Sequence, residues 1–95
     1  MSEFSVSGSN VVVMGAARSG VAAAKLLVRR GARVTLSDLR TTVENADELR
    51  ANDIDLELGG HRMETLQTAD LIVLSPGVSP HHSVVETARR RGMPM

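Results

Sequence analysis

Apolar and polar positions fall in blocks along this chain, and the blocks change period in a repeating order. Asn10–Met14 is a nearly unbroken apolar run, the pattern of a strand buried on both faces of a parallel sheet. From about Ser19 to Arg30 the apolar positions (Val21, Ala22, Ala24, Leu26, Leu27, Val28) suit a helix, and the small residues near its start let it lie close to a sheet. Gly31 stands where a left-handed residue would close that helix. A second strand is expected at about Arg33–Ser37, ending at Asp38. A second helix is expected over Asn45–Ala51, because Asn45 and Glu48 have capping-box spacing and Arg50 lies in the last turn. A short third strand, Asp55–Leu58, puts Leu56 and Leu58 on one face before Gly59-Gly60 breaks the chain. A short helix near Arg62–Thr68 precedes a fourth strand, Asp70–Leu74. Ser75-Pro76-Gly77 is a turn, and a last helix begins near Ser83, again with capping-box spacing to Glu86, and stops at Gly92.

Strands alternating with helices over short links require a parallel sheet covered on both faces. The expected fold is a Rossmann-like, three-layer α/β domain with a parallel sheet of four to five strands. Ninety-five residues suit one small domain, spanning 1–95. The small, polar segment Ser2–Ser9 leads into it. At the other end an apolar segment begins at Met93-Pro94-Met95, where the alternation calls for a fifth strand, so the chain reads as part of a longer protein.

Composition then removes several classes of function. Eleven basic and eleven acidic residues cancel, so no net field draws the chain to nucleic acid or to an anionic membrane. Phe4 is the one aromatic residue, which leaves no stacking platform for single-stranded nucleic acid. With no cysteine there are no disulfides, thiolate metal sites or cysteine nucleophiles, and a reducing cytoplasm is the expected compartment. No apolar run reaches membrane-spanning length.

In such sheets ligands bind beyond the carboxyl ends of the strands, near the point where strand order reverses. Three segments fall on that edge. The first is Gly15-Ala16-Ala17-Arg18-Ser19-Gly20, one glycine short of the dinucleotide fingerprint because Ala17 stands at its second glycine. Gly15 and Gly20 would shape the turn, while the N–H groups of Ala17, Arg18 and Ser19 would meet a phosphate at the helix N-terminus. The plain alternative is a tight strand-to-helix corner with Arg18 solvated. The second segment is Asp38-Leu39-Arg40, eighteen residues after Gly20, near the spacing at which an acid binds a ribose hydroxyl. Arg40 can stack on a base or pair with a phosphate, or Asp38 can simply end the strand. The third is Ser75-Pro76-Gly77, which offers a hydroxyl and an N–H at the same edge, or an ordinary turn. His61, His81 and His82 lack the converging donors of a metal site and read as surface or turn-capping residues, and Arg89–Arg91 as a solvated helix end. No catalytic group is evident: the chain shows how something is held.

These segments together resemble the N-terminal domain of a Mur ligase of the MurD type. The resemblance rests on Asn10–Gly20, Ser37-Asp38, Leu58-Gly-Gly-His61 and, most specifically, Ala69-Asp-Leu-Ile-Val-Leu-Ser-Pro-Gly-Val78. It implies a domain binding the UDP part of UDP-N-acetylmuramoyl-L-alanine, in a cytoplasmic, monomeric enzyme that adds D-glutamate during peptidoglycan synthesis. ATP and Mg²⁺ would be used by central and C-terminal domains absent from this chain. Carried over, Ala17, Arg18 and Ser19 would line the pyrophosphate; Asp38, Leu39 and Arg40 would meet the uracil; Ser75, Pro76 and Gly77 would close the pocket. Leu39 stands where the family can have threonine, so only its backbone could serve. Two other classes stay open: an NAD(P)- or FAD-binding Rossmann domain of an oxidoreductase, and a non-catalytic Rossmann-like regulatory module.

Overall fold

Four short strands form the sheet, Asn10–Met14 and Leu71–Leu74 being its most apolar, and four helical segments cover it. The computed structural model describes residues 5–79 and 81–95. Residues 2–4 of the polar lead-in, with Phe4, lie outside them. The elements are β1 (Asn10–Met14), α1 (Arg18–Arg29), β2 (Arg33–Asp38), α2 (Ala46–Ala51), β3 (Ile54–Leu58), α3 (Met63–Gln67), β4 (Leu71–Leu74) and α4 (Ser83–Arg90). All pairings are parallel, in the order β3-β2-β1-β4. The expected Rossmann-like α/β domain is therefore the one observed, with four strands among the described residues.

Side-chain alternation along β1 divides the interior into two cores. Val11 and Val13 face one layer with Val34, Leu36 and Ile54, and there Ala24 of α1 and Leu49 of α2 pack against them. Val12 and Met14 face the other, with Ile72, Leu66 of α3, and Val85 and Ala88 of α4. Val11–Met14 of β1 are buried on both faces of the sheet, and all four side chains are apolar. Val6, inside the polar lead-in, is buried and joins the first core.

The end of α1 follows its sequence signal. Gly31 takes a φ of +89°, its N–H donates to Val28 O at 2.9 Å, and Ala32 N–H reaches Leu27 O at 3.1 Å. This is a Schellman closure. The two expected capping boxes do not form. Asn45 sits in the left-handed region (φ 59°) and makes no side-chain cap; Glu48 instead reaches Lys25 Nζ of α1 at 2.9 Å. At α4 the cap belongs to His82, whose Nδ1 accepts the Val84 N–H at 3.2 Å, and Ser83 is already inside the helix. Glu86 turns to His81 and Arg90. After α4 the chain returns beside β4, where Ile72 N–H donates to Pro94 O at 2.8 Å.

Candidate functional site

The strand order reverses between β1 and β4, so the loops at their carboxyl ends diverge to opposite faces and leave a crevice. Its centre is the turn after β1. Gly15 has a φ of +99°, donates its N–H to Ser37 O at 2.7 Å, and lies so close to the loop after β4 that a Cβ would come within 2.8 Å of Val78 Cγ2. Gly20 is the second close approach: a Cβ there would overlap the Gly15 carbonyl and stand 2.5 Å from Ser75 Oγ. A side chain at either position would push α1 or the β4 loop off the turn.

Two polar side chains lock this turn from opposite sides. Ser75, only 5 % exposed, donates its hydroxyl to Gly15 O at 2.8 Å. Asp38, 8 % exposed, accepts from Ala16 N–H at 2.7 Å on one oxygen and from Arg40 N–H at 2.8 Å on the other. The Arg40 guanidinium adds Nε at 3.0 Å and Nη2 at 3.1 Å, a bidentate pair. That side-chain bond, helped by the two backbone N–H groups and against the cost of burial, holds the Asp38 carboxyl well below the usual carboxylate range. The same pairing raises Arg40 above its ordinary value. Asp38 is thus an ionised strut between the ends of β1 and β2.

The start of α1 is open. Ala17, the N-cap, is extended (ψ 178°) and caps nothing with its side chain, and no hydrogen bond among the described residues takes up the N–H groups of Ala17, Arg18, Ser19 or Gly20. These groups and the helix dipole make a ready anion site.

The crevice has a volume of about 470 Å³. It brings together Ala17, Asp38, Leu39, Arg40, Ser75 and Gly77 of the residues singled out in the sequence, with Gly15 beneath them. Arg18 lines an adjoining groove of about 660 Å³ that shares Ala16, Ala17 and Arg40 with the crevice. Ser19 and Pro76 are exposed and line neither. Leu39 stands at the crevice lip and is 57 % exposed. Two histidines that the sequence left as surface or capping residues also line the crevice: His61 and His82. Their rings meet edge to face at 5.5 Å. His82 does cap α4, as well as facing the crevice. The Gly59-Gly60 pair before His61 was the signal available, but only folding shows that this loop turns back on β2. There Gly59 N–H bonds Arg40 O at 2.8 Å and Gly60 N–H bonds Asp38 O at 3.1 Å. No grouping of three or more metal-ligating side chains occurs among the described residues, and no helix among them is long and apolar enough to cross a membrane.

An open parallel sheet with helices on both faces and a glycine turn at its switch point defines a Rossmann-like domain. The particular family is more specific. The model of the Mur ligase MurD-like N-terminal domain matches residues 9–95, and the chain belongs to that family. It is 44 % identical over 90 residues to the UDP-N-acetylmuramoylalanine–D-glutamate ligase of Anaeromyxobacter dehalogenans, covering 93 % of this chain and 20 % of that protein. It is 38 % identical over 92 residues to the ligase of the same name from Aromatoleum aromaticum, covering 95 % and 20 %. Among solved structures it resembles a pseudomurein peptide ligase type C from Methanothermus fervidus, with a TM-score of 0.82, 27 % identity, and 92 % and 18 % of the two chains covered. A murein peptide ligase from Psychrobacter arcticus shares the fold (TM-score 0.80, 22 % identity, 92 % and 18 % covered). The chain spans about a fifth of the length of the curated relatives it matches.

Proposed function

We propose that this chain is the UDP-binding N-terminal domain of a ligase that adds D-glutamate to UDP-N-acetylmuramoyl-L-alanine. The carrying observation is the crevice at the strand switch, whose floor is a glycine turn with unclaimed N–H groups. The relatives' names supply the substrate. In this reading the diphosphate sits over Ala17, Arg18 and Ser19, at the positive end of α1. The uracil lies toward Asp38, Leu39 and Arg40. Because the Asp38 carboxylate is committed to Ala16 and Arg40, its part is to fix the turn and present the backbone around Leu39. Ser75 braces Gly15, Gly77 bounds the far side, and Pro76, outside the crevice lining, fixes the turn between them.

The domain holds and orients the nucleotide end of the substrate; the amide-forming chemistry, with ATP and Mg²⁺, belongs to central and C-terminal domains of the full-length enzyme. That enzyme works as a cytoplasmic monomer in peptidoglycan synthesis, on a small-molecule substrate and without nucleic acid or membrane partners. Calorimetry with UDP and NADH tests the reading. UDP should bind and NADH should not, and NADH binding without UDP binding would overturn it. Amide formation by residues 1–95 alone would contradict the division of labour.

A further inference from the structure

The His61 ring is built into the crevice rather than left on its rim. Its Nδ1 stands 2.6 Å from Ser37 Oγ, and Ser37 is buried at the end of β2, immediately before Asp38. The loop that carries His61 is fixed from both ends. Gly59 and Gly60 donate to the backbone after β2, while Glu57 accepts the Arg62 N–H at 3.1 Å and the Thr65 hydroxyl. The other polar contact of Ser37 Oγ, to Gly60 O, is long at 3.5 Å. The hydroxyl proton is therefore best spent on Nδ1, which places the ring proton on Nε2. Nε2 has no partner among the described residues. The His82 ring meets that of His61 edge to face, and its Nδ1 is already used as the α4 cap.

We propose that His61 is a nucleotide-contacting residue, its Nε2–H donating to an oxygen of the nucleoside half of the ligand, with Ser37 as its positioning residue. This rests on the UDP reading above. The nucleoside half is favoured because His61 hangs on the end of β2, where an open α/β site meets the ribose and base. The diphosphate belongs to the N-terminus of α1. Burial and the neighbouring His82 lower the pKa of His61. An uncharged imidazole suits an uncharged hydroxyl or carbonyl oxygen better than a diphosphate.

The test uses the full chain and three probes: UDP, uridine monophosphate and inorganic pyrophosphate. In the unaltered chain, the His61 ring nitrogen resonances should shift on titration with UDP and uridine monophosphate and stay fixed with pyrophosphate. His61→Ala should weaken UDP binding roughly 3- to 10-fold, as for loss of one neutral hydrogen bond, with pyrophosphate binding unchanged. Ser37→Ala should give a smaller loss and a mixed tautomer signature at His61. UDP binding with unmoved His61 resonances, or parental UDP affinity in His61→Ala, would overturn the contact alone. Resonances that move with pyrophosphate would overturn the nucleoside assignment. Absence of UDP binding by the unaltered chain would sink the nucleotide reading and this contact with it. The resonance measurement needs no variant, so it decides the matter even if His61→Ala fails to fold.

Discussion

Gly20→Ala separates two physical effects of opposite sign at one position. Inside a helix, replacing glycine by alanine gains about 1 kcal/mol in propensity. Gly20 is in the first turn of α1 and buried, so a sequence-only view predicts a more stable protein. The packing says otherwise. The added Cβ would overlap the Gly15 carbonyl, far inside the 3.0 Å limit of real Cβ contacts, and would stand 2.5 Å from Ser75 Oγ. Neither neighbour can yield cheaply. Gly15 is held by its N–H bond to Ser37 O at 2.7 Å, and its carbonyl receives the Ser75 hydroxyl at 2.8 Å. Relief therefore requires α1 to lift from the sheet, stretching the first core around Ala24. Overpacking of this kind costs about 3 to 4 kcal/mol, at or just above the usual range. The net loss after the propensity gain is then about 2 to 3 kcal/mol. For a domain of this size that lowers the melting temperature by roughly 10 to 20 °C. Circular-dichroism melts of the parent and Gly20→Ala, with Gly77→Ala as control, measure it. A Cβ at Gly77 meets nothing within 4 Å, and its melt should stay close to the parent's. A Gly20→Ala melt equal to or above the parent's would refute the close-approach account of this turn.

Ser75→Ala should cost about 1 to 2 kcal/mol in urea denaturation, because the Gly15 carbonyl loses its buried hydroxyl donor; a midpoint within experimental scatter of the parent's would remove Ser75 as the brace. Asp38→Asn should cost about 1 to 2 kcal/mol at pH 7, discounted because the Arg40 side chain is 57 % exposed. The folded-state value of Asp38 is depressed, so its contribution is whole above the ordinary carboxylate value near 4 and declines as pH falls below it. The stability gap between parent and Asp38→Asn should narrow over that acid range, and a constant gap would show that Asp38 is not the ionised strut.

Much of the scaffold was legible because its signals are local. Val11–Met14 is apolar without interruption since β1 lies between two strands and under two layers of helices, and its expected limits coincide with the observed ones. Gly31 sits at its cap because only the left-handed region closes the helix there. The departures are long-range. Glu48 at capping-box spacing from Asn45 is drawn away by Lys25 of another helix, and no spacing rule contains that pair. At α4 the histidine one residue ahead of Ser83 takes the cap, since an imidazole nitrogen can accept the same N–H that a hydroxyl would. The site divides in the same way. The glycine turn and the Ser75–Gly77 loop stand out in the sequence, whereas the double bracing of Gly15 by Ser75 and of Ala16 by Asp38 depends on which strands become neighbours. His61 and His82 lie 21 residues apart in the chain, after strands at opposite edges of the sheet, and the loop carrying His61 turns back over the end of β2 toward the crevice.

The most direct test of the central claim is a backbone amide titration of the chain by two-dimensional nuclear magnetic resonance, with UDP in one series and NADH in another. UDP should move the Ala17, Arg18 and Ser19 amides, then those of Leu39, Arg40 and Gly77, leaving the outer edge of β3 at Asp55 unmoved. NADH should move none of them. A spectrum unchanged by UDP, or one in which NADH alone shifts the turn after β1, would contradict the account.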